Sequence, residues 1–289
     1  MKHTALLMLA LTMLFPHVVA AEEAYDLSEP EPEVGMTTES SIEIKGEAGT
    51  LQVVMAGQVL AVGQMDNTTK ETERWTITKV EDGVITEYTT VLTESTDVTE
   101  TTFDGETTKE EESSPLLNEE ITWKLVDGEY VPELPNATRE QLDELDAEMY
   151  IDEDFYPAEP VAIGQRWELS RAAIANYMDE DLNDDFKGEG SLEFLAVEDY
   201  KGERCAKLKI KITVSAKMAE EDLDEGMASG TLEMSFAGTV YRSLKGRTDL
   251  GGTFEGSIKA EFTGSEGGEE YTVIYKGPVT MVGSDKRIK

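Results

Sequence analysis

The reactive groups of this chain are overwhelmingly carboxylates: 61 Asp and Glu stand against 25 Lys and Arg, a net charge of −36. Paired carboxylates serve glycoside hydrolysis, one as acid and the other as base or nucleophile. With so many candidates no pair stands out, and a carboxylate-based glycoside hydrolase is carried as the alternative to a non-enzymatic reading. Oxygen ligands alternate through Asp179-Glu180-Asp181-Leu182-Asn183-Asp184-Asp185, as in a calcium loop. However, Asp184 stands where such a loop needs Gly, and Gly190 where it needs a bidentate Glu. This run and the acidic run at 220–225 read as solvated segments with weak, non-specific affinity for divalent cations. No metal ligand is assigned.

Other chemistries lack their parts. The two histidines, His3 and His17, fall within the first 20 residues, so once that stretch is removed no imidazole is left to act as the base of a Ser or Cys nucleophile. Neither a Gly-x-Ser-x-Gly elbow nor a Ser-x-x-Lys pairing occurs, and no phosphate-cradling or dinucleotide fingerprint is present. The lone Cys205 forms no internal disulfide; Arg204 and Lys207 beside it would favour a thiolate, whereas the simpler reading is a packed small thiol. No catalytic residue and no cofactor is therefore predicted. An anionic surface of this strength repels phosphate backbones and acidic headgroups, which argues against nucleic acid and charge-driven membrane docking.

Residues 1–20 carry Lys2 and His3, an apolar run from Ala5 to Phe15, Pro16 and small residues ending at Ala20-Ala21, the pattern of a secretory signal peptide. The run is too short to span a bilayer, and no membrane span is expected elsewhere. The mature product is expected in the periplasm or outside the cell. Residues 21–40, acidic and interrupted by prolines, read as an extended tether.

From residue 41 the chain becomes a succession of alternating segments broken by Gly, Asn and Asp turns, so the fold class is mainly β, with curved antiparallel sheets of half-barrel or sandwich type. In 207–216, Leu208, Ile210, Ile212, Val214 and Ala216 alternate with lysines, Thr213 and Ser215, one face dry and one wet. Asp82-Gly83 and Asp127-Gly128 suit tight hairpins. Gly238 and Gly256 fall on the apolar face, where a missing side chain permits curvature. Two β-rich halves are assigned, 41–135 and 165–289, joined by a helix and linker over 136–164. Thr138 and Gln141 form a capping box predicting a helix over 138–149, and Ser170 caps a second over 171–178. Phe236, Phe254, Ile258, Phe262, Tyr271 and Tyr275 share the inward face of the second half. They form the candidate surface for an acyl chain or other apolar ligand, the competing explanation being that they fill the core.

Between the halves, Pro157, Pro160, Val161, Gly164 and Trp167 match a P-x-x-P-V-x-x-G-x-x-W passage. In this the chain resembles a family of exported bacterial proteins of unknown function, in which that passage precedes a second β-rich half. The resemblance implies an extracytoplasmic β protein and supplies no catalytic residues. By architecture the chain is also similar to the half-barrel sheets of bacterial lipoprotein carriers. The reading that results is an exported, non-enzymatic binding or structural component of the cell envelope or exterior, with an unidentified protein or an apolar ligand as partner.

Overall fold

The computed structural model describes residues 23–145, 148–149, 155–178, 186–218, 227–266 and 269–288. The segment read as a signal peptide and the acidic runs at 179–185 and 220–225 lie outside the described residues. Over the described residues the protein is mainly β, with two short helices and large antiparallel sheets that do not close into a barrel.

Long strands dominate: β2 (Thr37–Met55), β3 (Gln58–Glu81), β4 (Val84–Phe103), β11 (Lys187–Tyr200), β12 (Glu203–Met218), β13 (Met227–Ser243), β14 (Asp249–Glu266) and β15 (Glu269–Arg287). Shorter strands are β1 (Ala24–Tyr25), β5 (Glu106–Glu112), β6 (Glu120–Val126), β7 (Glu129–Glu133), β8 (Glu148–Met149), β9 (Val161–Ala162) and β10 (Arg166–Leu169). Hairpin turns set most of the pairings. Ala56-Gly57, Asp82-Gly83, Asp104-Gly105, Asp127-Gly128 and Lys201-Gly202 each place two successive residues at positive φ, the geometry that matches strand twist in a two-residue connection. Both Asp-Gly turns expected from the sequence are among them.

Thirteen strands form one sheet in the order β10-β11-β12-β13-β14-β15-β2-β3-β4-β6-β7-β8, with β5 also paired to β4. The two β-rich halves therefore share a sheet. Their junction is the antiparallel pairing of β15 with β2, which runs from Tyr271 opposite Met55 to Arg287 opposite Thr38. A bulge interrupts it where Gly277 and Pro278 oppose Glu47, Ala48 and Gly49. Tyr275 lies across this bulge: a Cβ at Gly49 would collide with its ring, and one at Gly277 would come 2.6 Å from its hydroxyl.

The alternation in β12 has the consequence expected of it. Leu208, Ile210, Ile212, Val214 and Ala216 are buried, while Lys209 and Lys211 are exposed. The cover comes from helix α2 (Arg171–Met178) through Ile174, from Phe186, from Val161 and Tyr156, and from Leu27 in the N-terminal segment. Helix α2 begins where predicted, with the Ser170 hydroxyl accepting from the Ala173 amide at 3.0 Å. Helix α1 (Arg139–Asp143) also begins as predicted, on the Thr138/Gln141 capping box, but it stops five residues on. Asp143 and Glu144 close it with no basic residue in the last turn, the wrong charge for a helix C-terminus. Met149, expected on the helix, lies instead in β8, which pairs with β7.

The N-terminal segment also departs from expectation. Instead of a free tether to residue 40, Tyr25 pairs with Val161, Leu27 is 0% exposed, and β2 is already under way at Thr37. Composition predicts the extended backbone but not the docking, because the groups that hold it come from the far end of the chain.

Glycines on the inward face allow the curvature. The Phe254 ring lies against Gly238 and the Phe236 ring against Gly256, so that a Cβ at Gly256 would run into the Ser235 carbonyl and come 2.7 Å from the Phe236 ring. Gly256→Ala is accordingly expected to cost about 1 to 3 kcal/mol through overpacking. Gly283→Ala, whose Cβ would meet nothing nearer than 3.8 Å, should change little. Urea midpoints of the two variants check this, and equal midpoints would show that ring-on-glycine packing does not constrain the sheet.

Candidate functional site

Among the described residues, the inward face of the sheet is covered over β10 to β12 and open farther along. There the described residues that line a cavity of about 560 Å³ all belong to β13, β14, β15, β2 and β3. A flat sheet face encloses no volume, so these five neighbouring strands must curl around it.

Strand register explains the lining row by row. One cross-strand row reads Gly238, Phe254, Met281, Ile44, Thr69, and the next reads Phe236, Gly256, Val279, Gly46, Asn67. These are apolar on β13 to β15 and become polar on β3. On the other side of the Phe254 row come Val240, Gly252, Gly283, Ile42 and Glu71. Beyond it lies a charged row in which Asp285 faces Ser40 and Ser40 faces Glu73, with Arg242 opposite Asp249 on the neighbouring strands. Asp285 to Val279 is six residues, roughly 20 Å of strand, and along it the surface passes from carboxylates to hydrocarbon.

The charged end is anchored by a buried cation. Arg242 is 2% exposed; its Nε donates to the Leu27 carbonyl at 2.8 Å, Nη2 to the Ser28 carbonyl at 3.1 Å and Nη1 to Asp249 Oδ1 at 3.1 Å. Glu29 lies 3.1 Å from Nη2. The guanidinium stacks 3.6 Å from the centroid of the Tyr156 ring, and the Tyr156 hydroxyl donates to Asp249 Oδ2 at 2.7 Å. Burial opposes the charge on Arg242, but Tyr156, Asp249 and Glu29 outweigh it and keep the group protonated. Tyr156 itself is held well above the ordinary phenol range by burial and by the Asp249 charge. The cluster ties the N-terminal segment, Tyr156 at the start of the Pro157–Trp167 passage and two sheet strands together at the rim of the cavity.

Asp285 behaves differently. Burial raises its pKa to about 6, with the Ser40 hydrogen bond pulling the other way. For a carboxyl whose folded pKa lies above its unfolded value near 3.8, the folded state holds the extra proton between those values. Stability therefore falls as pH rises from about 4 to about 6. At neutral pH the ionised group costs up to about 3 kcal/mol, taken from about 1.4 kcal/mol per pKa unit; its partial water contact makes this an upper bound. Asp285→Asn is expected to raise the melting temperature at pH 7.5, and the advantage should shrink to nothing near pH 4. A constant advantage at both pH values would assign the effect to some other cause.

Of the six predicted ligand-face residues, Phe236, Phe254 and Ile258 line the cavity. Phe262, Tyr271 and Tyr275 share its face by register but lie outside the lining, and Tyr275 is packed on the junction glycines. The sequence reading did not assign Ser40, Ile42, Ile44, Glu71 and Glu73 to a site, since they come from the first half and reach it only through the β15–β2 pairing. The Ile42/Ile44 alternation was their visible signal. Cys205 is fully buried, and burial together with Glu203 pushes its thiol up, which agrees with a packed side chain. Asn67, whose Asn67-Thr68-Thr69 run fits the glycosylation acceptor pattern, donates to Asp97 and Thr99 within the sheet.

Among the described residues, no group of three or more His, Cys, Asp or Glu side chains is arranged to hold a metal ion, and no helix is long and apolar enough to cross a membrane. No protein-family model matches the chain, and no curated protein is significantly similar to it.

Proposed function

We propose that this chain is an exported, non-enzymatic β protein of the cell envelope or exterior that holds an apolar ligand in the hollow of its sheet. The observation that carries the reading is the cavity of about 560 Å³ walled by Phe236, Phe254, Ile258, Met234, Val279 and Met281. Sheet interiors are ordinarily filled by their own side chains, whereas here the described covering elements stop short of these strands. The volume falls in the range of about 300 to 1,000 Å³ typical of small-molecule sites. The resemblance to exported β proteins and the architectural likeness to lipoprotein carriers point the same way, and the sequence of residues 1–20 supports export.

The test is uptake of N-phenyl-1-naphthylamine, whose fluorescence rises in apolar surroundings. Saturable uptake is expected, and Met281→Trp, which fills the hollow, should abolish it while leaving β-sheet circular dichroism unchanged. Absence of uptake, or uptake indifferent to Met281→Trp, would remove the cavity from consideration as a ligand site.

One observation favours the second reading, a glycoside hydrolase. Asp285, with its raised pKa, and Glu73 flank Ser40 on adjacent strands, roughly 10 Å apart in backbone terms and so nearer the spacing of inverting than of retaining carboxylate pairs. The walls weigh against it, since Phe, Met, Val and Ile offer a sugar few hydrogen bonds. Cleavage of nitrophenyl glycosides that disappears in Asp285→Asn would reverse this preference.

A further inference from the structure

We infer that Tyr275 sets the length of ligand the hollow accepts: a single-chain amphiphile lies along the strands with its tail toward this ring, and the ring stops the tail. The inference rests on the proposed function and adds the ligand's shape, its direction and the residue that limits it. The hollow runs along the strands from a polar row, where Asp285 faces Ser40, to hydrocarbon at Val279 and Ile258. That polar row has its own partners, since Asp285 is hydrogen-bonded by Ser40 and Asp249 by Arg242, so it asks no charge of a ligand's head. Among the described residues, the lining ends at Val279, Ile258 and Met234.

Tyr275 stands at that end. Gly46 is directly opposite Val279, and Gly277 directly opposite Ile258; the Tyr275 hydroxyl lies 3.0 Å from where a Cβ on Gly46 would be and 2.6 Å from where one on Gly277 would be. The ring itself covers Gly49, where an added Cβ would collide with it. Side chains at these positions would push the ring aside, so the glycines let it lie across the sheet as a wall. Beyond it the inward face continues in hydrocarbon: Leu51 is opposite Tyr275, and Phe262, Val273 and Val53 form the next row, all four half-buried. The lining therefore ends at one side chain, not where the apolar surface runs out. Shortening that side chain joins the hollow to a surface of the same character and extends it by at least one row, roughly 7 Å of strand.

The experiment is displacement of bound N-phenyl-1-naphthylamine from the mature chain at pH 8 by alkyldimethylamine N-oxides from octyl to hexadecyl, each below its micelle concentration. Their heads carry no net charge at this pH. Each added methylene is expected to lower the displacing concentration by about fourfold until the tail meets the ring, and longer homologues should gain nothing more. In Tyr275→Ala the longest homologues should displace at a concentration lower by about tenfold or more, with the octyl compound unchanged. Tyr275→Phe, which keeps the ring, should keep the limit, and Ile258→Phe, which advances the wall, should move it to shorter chains. A steady gain through hexadecyl in the unaltered chain would overturn the inference, as would a limit that Tyr275→Ala leaves in place. Equal gains for octyl and hexadecyl in that variant would also overturn it, because they report a hollow made roomier and not longer. Should Tyr275→Ala lose its β-sheet circular dichroism, Tyr275→Leu and Ile258→Phe are read by the same criteria. Failure of the unaltered chain to take up the probe at all would instead overturn the ligand-site reading on which this one stands.

Discussion

Arg242→Ala is expected to lower stability by about 3 to 5 kcal/mol, the range found when one partner of a buried ion pair is removed. Three acceptors would lose their donor together: the carbonyls of Leu27 and Ser28 and the Asp249 carboxylate. Water has poor access to replace it, because the side chain is 2% exposed. Arg242→Lys should recover only part of the loss, since an ammonium lacks the planar fork and the stacking on Tyr156. The check is a urea titration in which the midpoint falls at an unchanged slope, together with proteolysis of the 23–36 segment, which should become susceptible as its anchor goes. A shift under about 1 kcal/mol would mean that β1–β9 pairing and Leu27 packing suffice to dock the segment.

Phe194→Ala should have a comparable effect, about 3 to 5 kcal/mol. The ring is fully buried in the core cluster, and Tyr25 meets it edge-on at 5.5 Å. Its backbone amide donates to the Gln165 carbonyl at 2.9 Å, and its carbonyl accepts from the Gly164 amide at 2.6 Å. These contacts come just before the register shift between Phe194 and Ala196 in β11, so β11 and the Pro157–Trp167 passage meet at this residue and the side chain plugs the joint. Lys209→Ala, on the wet face of β12, is the control and should stay within about 0.5 kcal/mol. Similar midpoints for the two variants would contradict the assignment of faces.

Local pattern carried the strands and turns and failed at distance. The alternation in 207–216 forecasts which side chains of β12 are buried, and the Asp-Gly pairs forecast two hairpins, because each depends on a few neighbouring residues. Nothing near Leu27 announces that this one apolar residue in an acidic, proline-rich stretch is sealed under Arg242, 215 positions later. The same limit applies to the cavity. Phe236, Phe254 and Ile258 were visible as one face, but Glu71 and Glu73 join them only when β2 pairs with β15, and edge pairing leaves no periodic trace. Helix α1 shows the opposite failure, in which a correct start signal was extended through Leu142 and Leu145 past acidic residues that end the helix early.

The β15–β2 junction also sets a timetable. One edge of β2 pairs with its chain neighbour β3, but the other must wait for residues more than two hundred positions downstream. Non-local pairing of this kind slows folding because a large loop is closed before any contact rewards it. Until the final strand is available, the amino-terminal portion presents a nineteen-residue edge open to pairing with any passing chain. The heavy negative charge then acts as a safeguard of assembly, holding unfinished molecules apart during that interval.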